Sequence, residues 1–217
     1  MYLDEYKKWL NSTMLSENEK EELKSIANDE KEIESRFYTN LSFGTAGMRG
    51  IRGIGKNRMN KYNIRKATQG LANYIIQATG ESGKKKGVAI AYDSRLDSVE
   101  NALNTAMTLA GNGIKVYLFD GVRSTPELSF AVRELKAQSG IMITASHNPK
   151  EYNGYKVYWE DGAQIVDPQA TAIVSAVEAV DIFNDIKLMD EKEAIEKGLL
   201  VYVGEKLDDR YIEEVKK

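Results

Sequence analysis

Three apolar runs, Val88-Ala89-Ile90-Ala91-Tyr92, Lys115-Val116-Tyr117-Leu118-Phe119 and Ile141-Met142-Ile143, carry the reading of the fold. Each has the length and residue types of a buried strand, and each gives way to polar residues: Asp93-Ser94-Arg95, Asp120-Gly121-Val122-Arg123 and Ser146. The intervening segments read as helices. The first is predicted to start at Asp97, which forms a capping-box pattern with Glu100, and to end near Gly111 and Gly113. The second opens Ser124-Thr125-Pro126-Glu127, a capping box with proline where a missing N–H does no harm. Short-looped β-α-β-α-β alternation implies parallel strands joined by right-handed crossovers, with ligands at the carboxyl ends of the strands. Arg95, Arg123 and Ser146 all fall at such ends.

The third run continues into Thr144-Ala145-Ser146-His147-Asn148-Pro149 and, after a short loop, Asn153-Gly154-Tyr155-Lys156. Asn-Pro and Asn-Gly are turn formers, so residues 140–146 and 154–159 are expected to form an antiparallel hairpin closed around residue 151. That register sets Ser146 opposite Lys156, with Cβ atoms about 5 Å apart. The ammonium would then serve a phosphoryl group on the serine oxygen, or a neighbouring substrate hydroxyl, as charge partner or proton shuttle. His147, the only histidine, would point to the other face of an extended segment, which argues against a Ser-His hydrolase dyad. No Gly-x-Ser-x-Gly elbow surrounds the serine.

Residues 1–40 read as two or three amphipathic helices, around Tyr6-Trp9-Leu10, Leu23-Ile26 and Ile33-Phe37, with an acidic and solvated outer face between Glu17 and Glu34. From Ser35 to Gly80 there is no carboxylate, while Arg36, Arg49, Arg52, Lys56, Arg58, Lys61, Arg65 and Lys66 supply positive charge, which points to an anionic partner. Within this stretch Gly44-Thr45-Ala46-Gly47-Met48-Arg49-Gly50-Ile51-Arg52-Gly53 repeats glycine at every third position. Backbone N–H groups freed by glycine, together with two arginines, suit a phosphate; the alternative is a surface loop with incidental arginines. It is neither a Walker A loop nor a dinucleotide fingerprint. Beyond Pro168, helices are expected over 170–180 and 190–197, a strand over 200–203, and the start of a helix over 207–217. Gly204–Arg210 is the one charge-dense linker candidate.

With 217 residues, 42% of them hydrophobic, the chain can bury one substantial core. A net charge of −3 argues against a nucleic-acid binder, and the absence of cysteine excludes disulfides, thiolate metal sites and cysteine nucleophiles. No leader pattern and no membrane-length apolar run are present, so a soluble cytoplasmic protein is expected.

In combination, Thr144–Pro149 with Asn153–Lys156, Phe43–Gly50 and Tyr92-Asp93-Ser94-Arg95 resemble the phosphoserine loop, the N-terminal phosphate loop and a further motif of the α-D-phosphohexomutases, over residues 40 to 205 or so. The wording of Phe43–Gly50 is more similar to the phosphoglucomutase and phosphopentomutase branch than to bacterial phosphomannomutases. The resemblance implies a three-layer α/β/α domain with a mixed, mostly parallel sheet. It implies a helical extension over 1–40, the serine-bearing first domain over 41–205, and the start of a linker or second domain over 206–217. It further implies a shuttle in which phosphorylated Ser146 donates to a sugar phosphate and recovers a phosphate from the bisphosphorylated sugar. By carry-over, Ser146 is the phosphoryl carrier and Mg²⁺ contact, Lys156 the acid/base or charge partner, and His147 lines the site. Thr45 and Arg49 would bind substrate phosphate, and a sugar 1,6-bisphosphate would act as activator. The phosphosugar is glucose, with mannose or a pentose as alternatives. The family's other metal, sugar and phosphate loops do not follow before Lys217, so the fragment is expected to have negligible mutase activity. Outside catalysis, a non-catalytic sugar-phosphate or anion-binding module is the rival.

Overall fold

The computed structural model describes residues 1–44 and 47–217. Its helices are α1 (Tyr2–Leu10), α2 (Glu17–Ser25), α3 (Glu30–Phe37), α4 (Lys61–Lys86), α5 (Ser98–Gly111), α6 (Thr125–Glu134), α7 (Gln169–Glu178), α8 (Glu191–Glu196) and α9 (Glu205–Val215). The strands are β1 (Phe43–Gly44), β2 (Gly47–Ile51), β3 (Val88–Tyr92), β4 (Val116–Phe119), β5 (Ser139–Ile143), β6 (Tyr152–Trp159) and β7 (Leu200–Val203). They form one mixed sheet in the order β1-β2-β6-β5-β3-β4-β7. The majority, β5, β3, β4 and β7, run parallel, and β6, β2 and β1 extend the sheet antiparallel.

Strand alternation sorts the core into two layers. Val88 and Ile90 of β3 face α4, α5 and α7 through Leu71, Ala106 and Ile173. Ala89 and Ala91 of the same strand face α6 and α9 through Leu128, Val132 and Leu207. β3 is buried on both faces, which is why it reads as an unbroken apolar run rather than an alternating one. The result is a three-layer α/β/α domain.

The longest helix, α4, begins in the acid-free stretch, to which the sequence reading assigned no element, and runs six residues beyond it. Asn60 caps it by accepting from the N–H groups of Tyr62 and Asn63. Gly70, Gly80 and Gly83 dilute its helical signature, and Gly80 has non-helical backbone angles. Gly70 is set by close packing: a Cβ there would lie 2.5 Å from the Val177 Cα of α7. Gly70→Ala is therefore expected to destabilise the domain by about 1–3 kcal/mol, read as a lower urea midpoint with an unchanged slope.

The N-terminal helices pack Trp9, Leu23, Ile33 and Phe37 against Tyr62 of α4, with edge-on ring contacts from Trp9 to both Phe37 and Tyr62. Their acidic face is not simply solvated. Glu22 and Glu32 bind Arg36 at 2.5 and 2.8 Å, Glu32 also reaches Arg58 at 3.2 Å, and Glu19 holds Lys61 at 2.8 Å. Much of the positive charge over 36–61 thus has an anionic partner inside the chain, the acidic run over 19–32, and does not call for an external one.

Three further expectations need correction. Asp97 does not cap α5 through its side chain; it takes a left-handed conformation (φ 65°), and its carboxylate accepts from Arg52 Nε at 2.5 Å. The glycine-rich segment is not wholly a loop, because Gly47–Ile51 pairs with β6. At Gly47 a Cβ would meet the Tyr155 carbonyl oxygen at 1.9 Å, so this glycine permits close strand approach. Gly204–Arg210 is largely the first turns of α9, tied to the domain by Arg123, whose guanidinium donates to both Asp208 carboxylate oxygens at 2.7 Å. No helix among the described residues is long and apolar enough to cross a membrane.

Candidate active site

The expected hairpin forms, but in another register. β5 ends at Ile143, and Lys156 lies opposite Met142 rather than Ser146. Two turns, closed by Asn148 N–H to Ala145 O at 3.1 Å and by Tyr152 N–H to Pro149 O at 3.0 Å, consume the residues that a tight hairpin would have kept in strand. Ile143 pairs with Tyr155, so the hairpin closes around residue 149, not 151. Placing Ser146 directly across from Lys156 was therefore incorrect.

Ser146 sits exposed at the tip of the first turn with φ 57°, a left-handed conformation that costs a residue with a Cβ about 1–2 kcal/mol. Its N–H donates to Thr144 Oγ1 at 2.9 Å, which fixes the turn from within. Because the segment is not extended here, the opposite-faces argument for His147 fails: its Nδ1 lies 3.4 Å from Ser146 Oγ. Ser146→Gly is expected to be more stable than Ser146→Ala by about 1 kcal/mol in thermal or urea unfolding, since only glycine relieves the positive φ. Equal stability would mean that the loop relaxes and stores no strain.

Arg95, from the turn after β3, holds the serine loop in place. Its Nη2 donates to the carbonyls of Ser146 and Asn148 at 2.8 and 2.7 Å, and its Nη1 to those of Pro149 and Tyr152 at 2.9 and 3.1 Å. Nε lies 3.4 Å from Asp93 Oδ2, while Asp93 Oδ1 accepts from the Arg95 N–H and from Ser98 Oγ. Ser98 in turn accepts from buried Asn153, whose Oδ1 receives the Gly154 N–H. The Asp93-Ser94-Arg95 turn is thus a loop organiser. Arg123 stands apart, committed to Asp208 and Asp120.

The second half of the site comes from β2. Gly47 pairs with Lys156, so Arg49, two residues on, projects from the same face as that lysine. Arg49, Lys156, Thr144 and Gln164 border a cleft of about 280 Å³. Arg49 Nη1 also donates to Asn148 Oδ1 at 2.9 Å, joining this strand to the serine turn. Ser146 itself borders an adjoining cleft of about 540 Å³ with Ser94, Arg95 and Lys150. Thr45 lies outside the described residues. Among the described residues no cluster of three His, Asp or Glu side chains is arranged to hold a metal.

Sequence reasoning overlooked Asn148 as the Arg49 partner and the four carbonyls as Arg95 partners. Backbone acceptors leave no trace in residue identity.

Comparison with known proteins completes the description. Residues 40–182 match a family model described as phosphoglucomutase/phosphomannomutase, alpha/beta/alpha domain I. A phosphoglucomutase from Staphylococcus saprophyticus is 38% identical over 187 residues, covering 86% of this chain and 33% of that protein. One from Staphylococcus aureus strain COL is 49% identical over 145 residues, 66% of this chain and 26% of its own length. A crystal structure from Thermus thermophilus, described as a phosphomannomutase, superposes with a TM-score of 0.59 at 32% identity, over 70% of this chain and 33% of that one. The chain spans a quarter to a third of the length of the curated relatives it matches.

Proposed function

The chain belongs to the phosphoglucomutase/phosphomannomutase family, and from that premise we propose that it is the serine-bearing domain of a phosphosugar mutase. Ser146 carries a phosphoryl group between the 1- and 6-positions of a sugar phosphate, glucose first, with mannose or a pentose as the alternatives. The observation that supports this most is the Arg49–Asn148 contact, which brings a cationic strand to the nucleophile's own turn across 99 residues of sequence. Phosphoryl transfer is catalysed chiefly by positioning and charge neutralisation, and this arrangement offers both.

The roles follow from placement. Arg95 fixes the turn, the left-handed backbone at Ser146 presents Oγ to solvent, and Arg49 and Lys156 offer positive charge to a phosphate bound in the cleft they share. His147, with Nδ1 near Oγ, would take the serine proton as the phosphoryl group arrives, through the tautomer that leaves Nδ1 free to accept. Thr45 is proposed as a substrate-phosphate contact. Mg²⁺ would meet this chain through the oxygens on Ser146 and would neutralise charge there, and a sugar 1,6-bisphosphate would charge the serine. Because the chain covers a quarter to a third of its relatives' length, it carries one part of the reaction, and negligible turnover is expected from these 217 residues alone. A cytoplasmic setting fits a phosphosugar substrate.

The test is intact-mass and peptide analysis after incubation with glucose 1,6-bisphosphate and Mg²⁺. One added phosphate, localised to Ser146, is the expected result. No phosphate on any residue, with bisphosphate still bound, would replace the mutase reading with a phosphosugar-binding module.

A further inference from the structure

We propose that a second cleft, between α1, the start of α4 and the end of α7, binds a phosphorylated small molecule through Lys56 and Lys66. The cleft has a volume of about 410 Å³, enough for a small ligand, and its apolar wall includes Trp9, Phe43 and Val174. It lies on the other face of β2 from Arg49: Met48 joins the core layer with α4, and Arg49, next along the strand, faces the Lys156 cleft. Met48 borders both openings, and the two are distinguished by their cations, Lys56 and Lys66 here and Arg49 and Lys156 there.

The cations of this cleft differ from their neighbours. In the acid-free stretch, Arg36, Arg52, Arg58 and Lys61 all have carboxylate partners. Among the described residues neither Lys56 nor Lys66 has one within 4 Å, although both border the cleft. Half-burial pushes the Lys66 ammonium below the ordinary lysine range; Lys56 adds repulsion, and Asp181 and Glu178 oppose it. Asp181 is already engaged, its Oδ1 accepting from the N–H groups of Phe183 and Asn184. Asn40 and Ser42 supply an amide and a hydroxyl at the same opening. An anion shared by the two ammonium groups would relieve both their repulsion and the desolvation of Lys66. Two point-like ammonium groups with a hydroxyl and an amide suit a tetrahedral oxyanion, whereas a planar carboxylate is better matched by an arginine fork. Glu5, Glu178 and Asp181 line the same cleft as Lys8, Lys56 and Lys66, a balance that disfavours a highly charged ligand and favours a single phosphoryl group on a largely neutral body.

Site-resolved acylation of lysines tests this, with inorganic phosphate as the probe and chloride holding ionic strength constant. Phosphate at twice its dissociation constant is expected to slow labelling of Lys66 and Lys56 about threefold, while exposed Lys31 and Lys136 are unaffected. Lys56→Gln should abolish protection of Lys66, and Arg49→Met should leave it intact, which separates this site from the serine site. The proposal is overturned if Lys66 shows no protection up to about 0.1 M phosphate, if Lys31 is protected equally, or if protection appears at Lys156 alone.

Discussion

Ser146→Ala is expected to abolish phosphate uptake from glucose 1,6-bisphosphate while leaving the domain folded. Among the described residues the hydroxyl has one hydrogen-bond partner, His147 Nδ1 at 3.4 Å, so little stability depends on it. Thr144 Oγ1 accepts from the backbone N–H of residue 146, Arg95 donates to its carbonyl, and both bonds survive the change. In a complete enzyme containing this domain, loss of a covalent nucleophile lowers kcat by about 10⁴-fold or more. The nearby imidazole provides a demanding control. A phosphoryl group found on the alanine variant and lost in mild acid would identify His147 as the acceptor, whereas an acid-stable group in the wild type and none in the variant identifies the serine. Arg49→Met should keep the acceptor but slow its charging by about 10²-fold, the usual scale for removing one preorganised donor to a developing charge.

How much of this was legible in the sequence depends on the kind of contact involved. The parallel half of the sheet was readable because its strands are continuous apolar runs: Val88–Tyr92 matches β3, buried on both faces, and Leu200–Val203 matches β7, which lies at the sheet edge and exposes Val201 and Tyr202. Half of the α6 capping box was readable too: Ser124 accepts the Glu127 N–H, while the Glu127 carboxylate turns to Arg123 and Asp208 instead of back to Ser124. Membership of the serine, Arg49 and Lys156 in one region was legible through motif order. Their relative placement was not. Hairpin register depends on where β5 stops, and that depends on a left-handed serine, a conformation residue type does not announce. The Gly44–Gly53 pattern suggested a phosphate cradle, but Gly47 serves strand packing against Tyr155. Charge was legible locally and misleading globally, because the acids of α2 and α3 partner cations up to 42 residues later, Glu19 with Lys61 among them.

Arg95→Met should produce the largest structural effect of any single change near the site. One guanidinium satisfies four carbonyls that converge from residues 146, 148, 149 and 152, and its side chain is only 15% exposed. Charged hydrogen bonds contribute about 1.5–3 kcal/mol each and are not additive when they share a donor, so a loss of about 3 kcal/mol is expected. Arg95→Lys should recover little of it, since one ammonium cannot span four acceptors in the geometry of a planar fork. Amide hydrogen exchange distinguishes loss of the clamp from general destabilisation. The N–H groups of Asn148 and Tyr152, which close the two turns, should lose protection, while those of Ile90 and Ile141 in the buried strands keep most of theirs. In the complete enzyme the same variant should lower kcat more than it raises KM for a phosphosugar, because Arg49 and Lys156 keep their shared cleft while the nucleophile wanders. Unchanged exchange at Asn148 would mean that the turns hold themselves, and the positioning role assigned to Arg95 would have to be withdrawn.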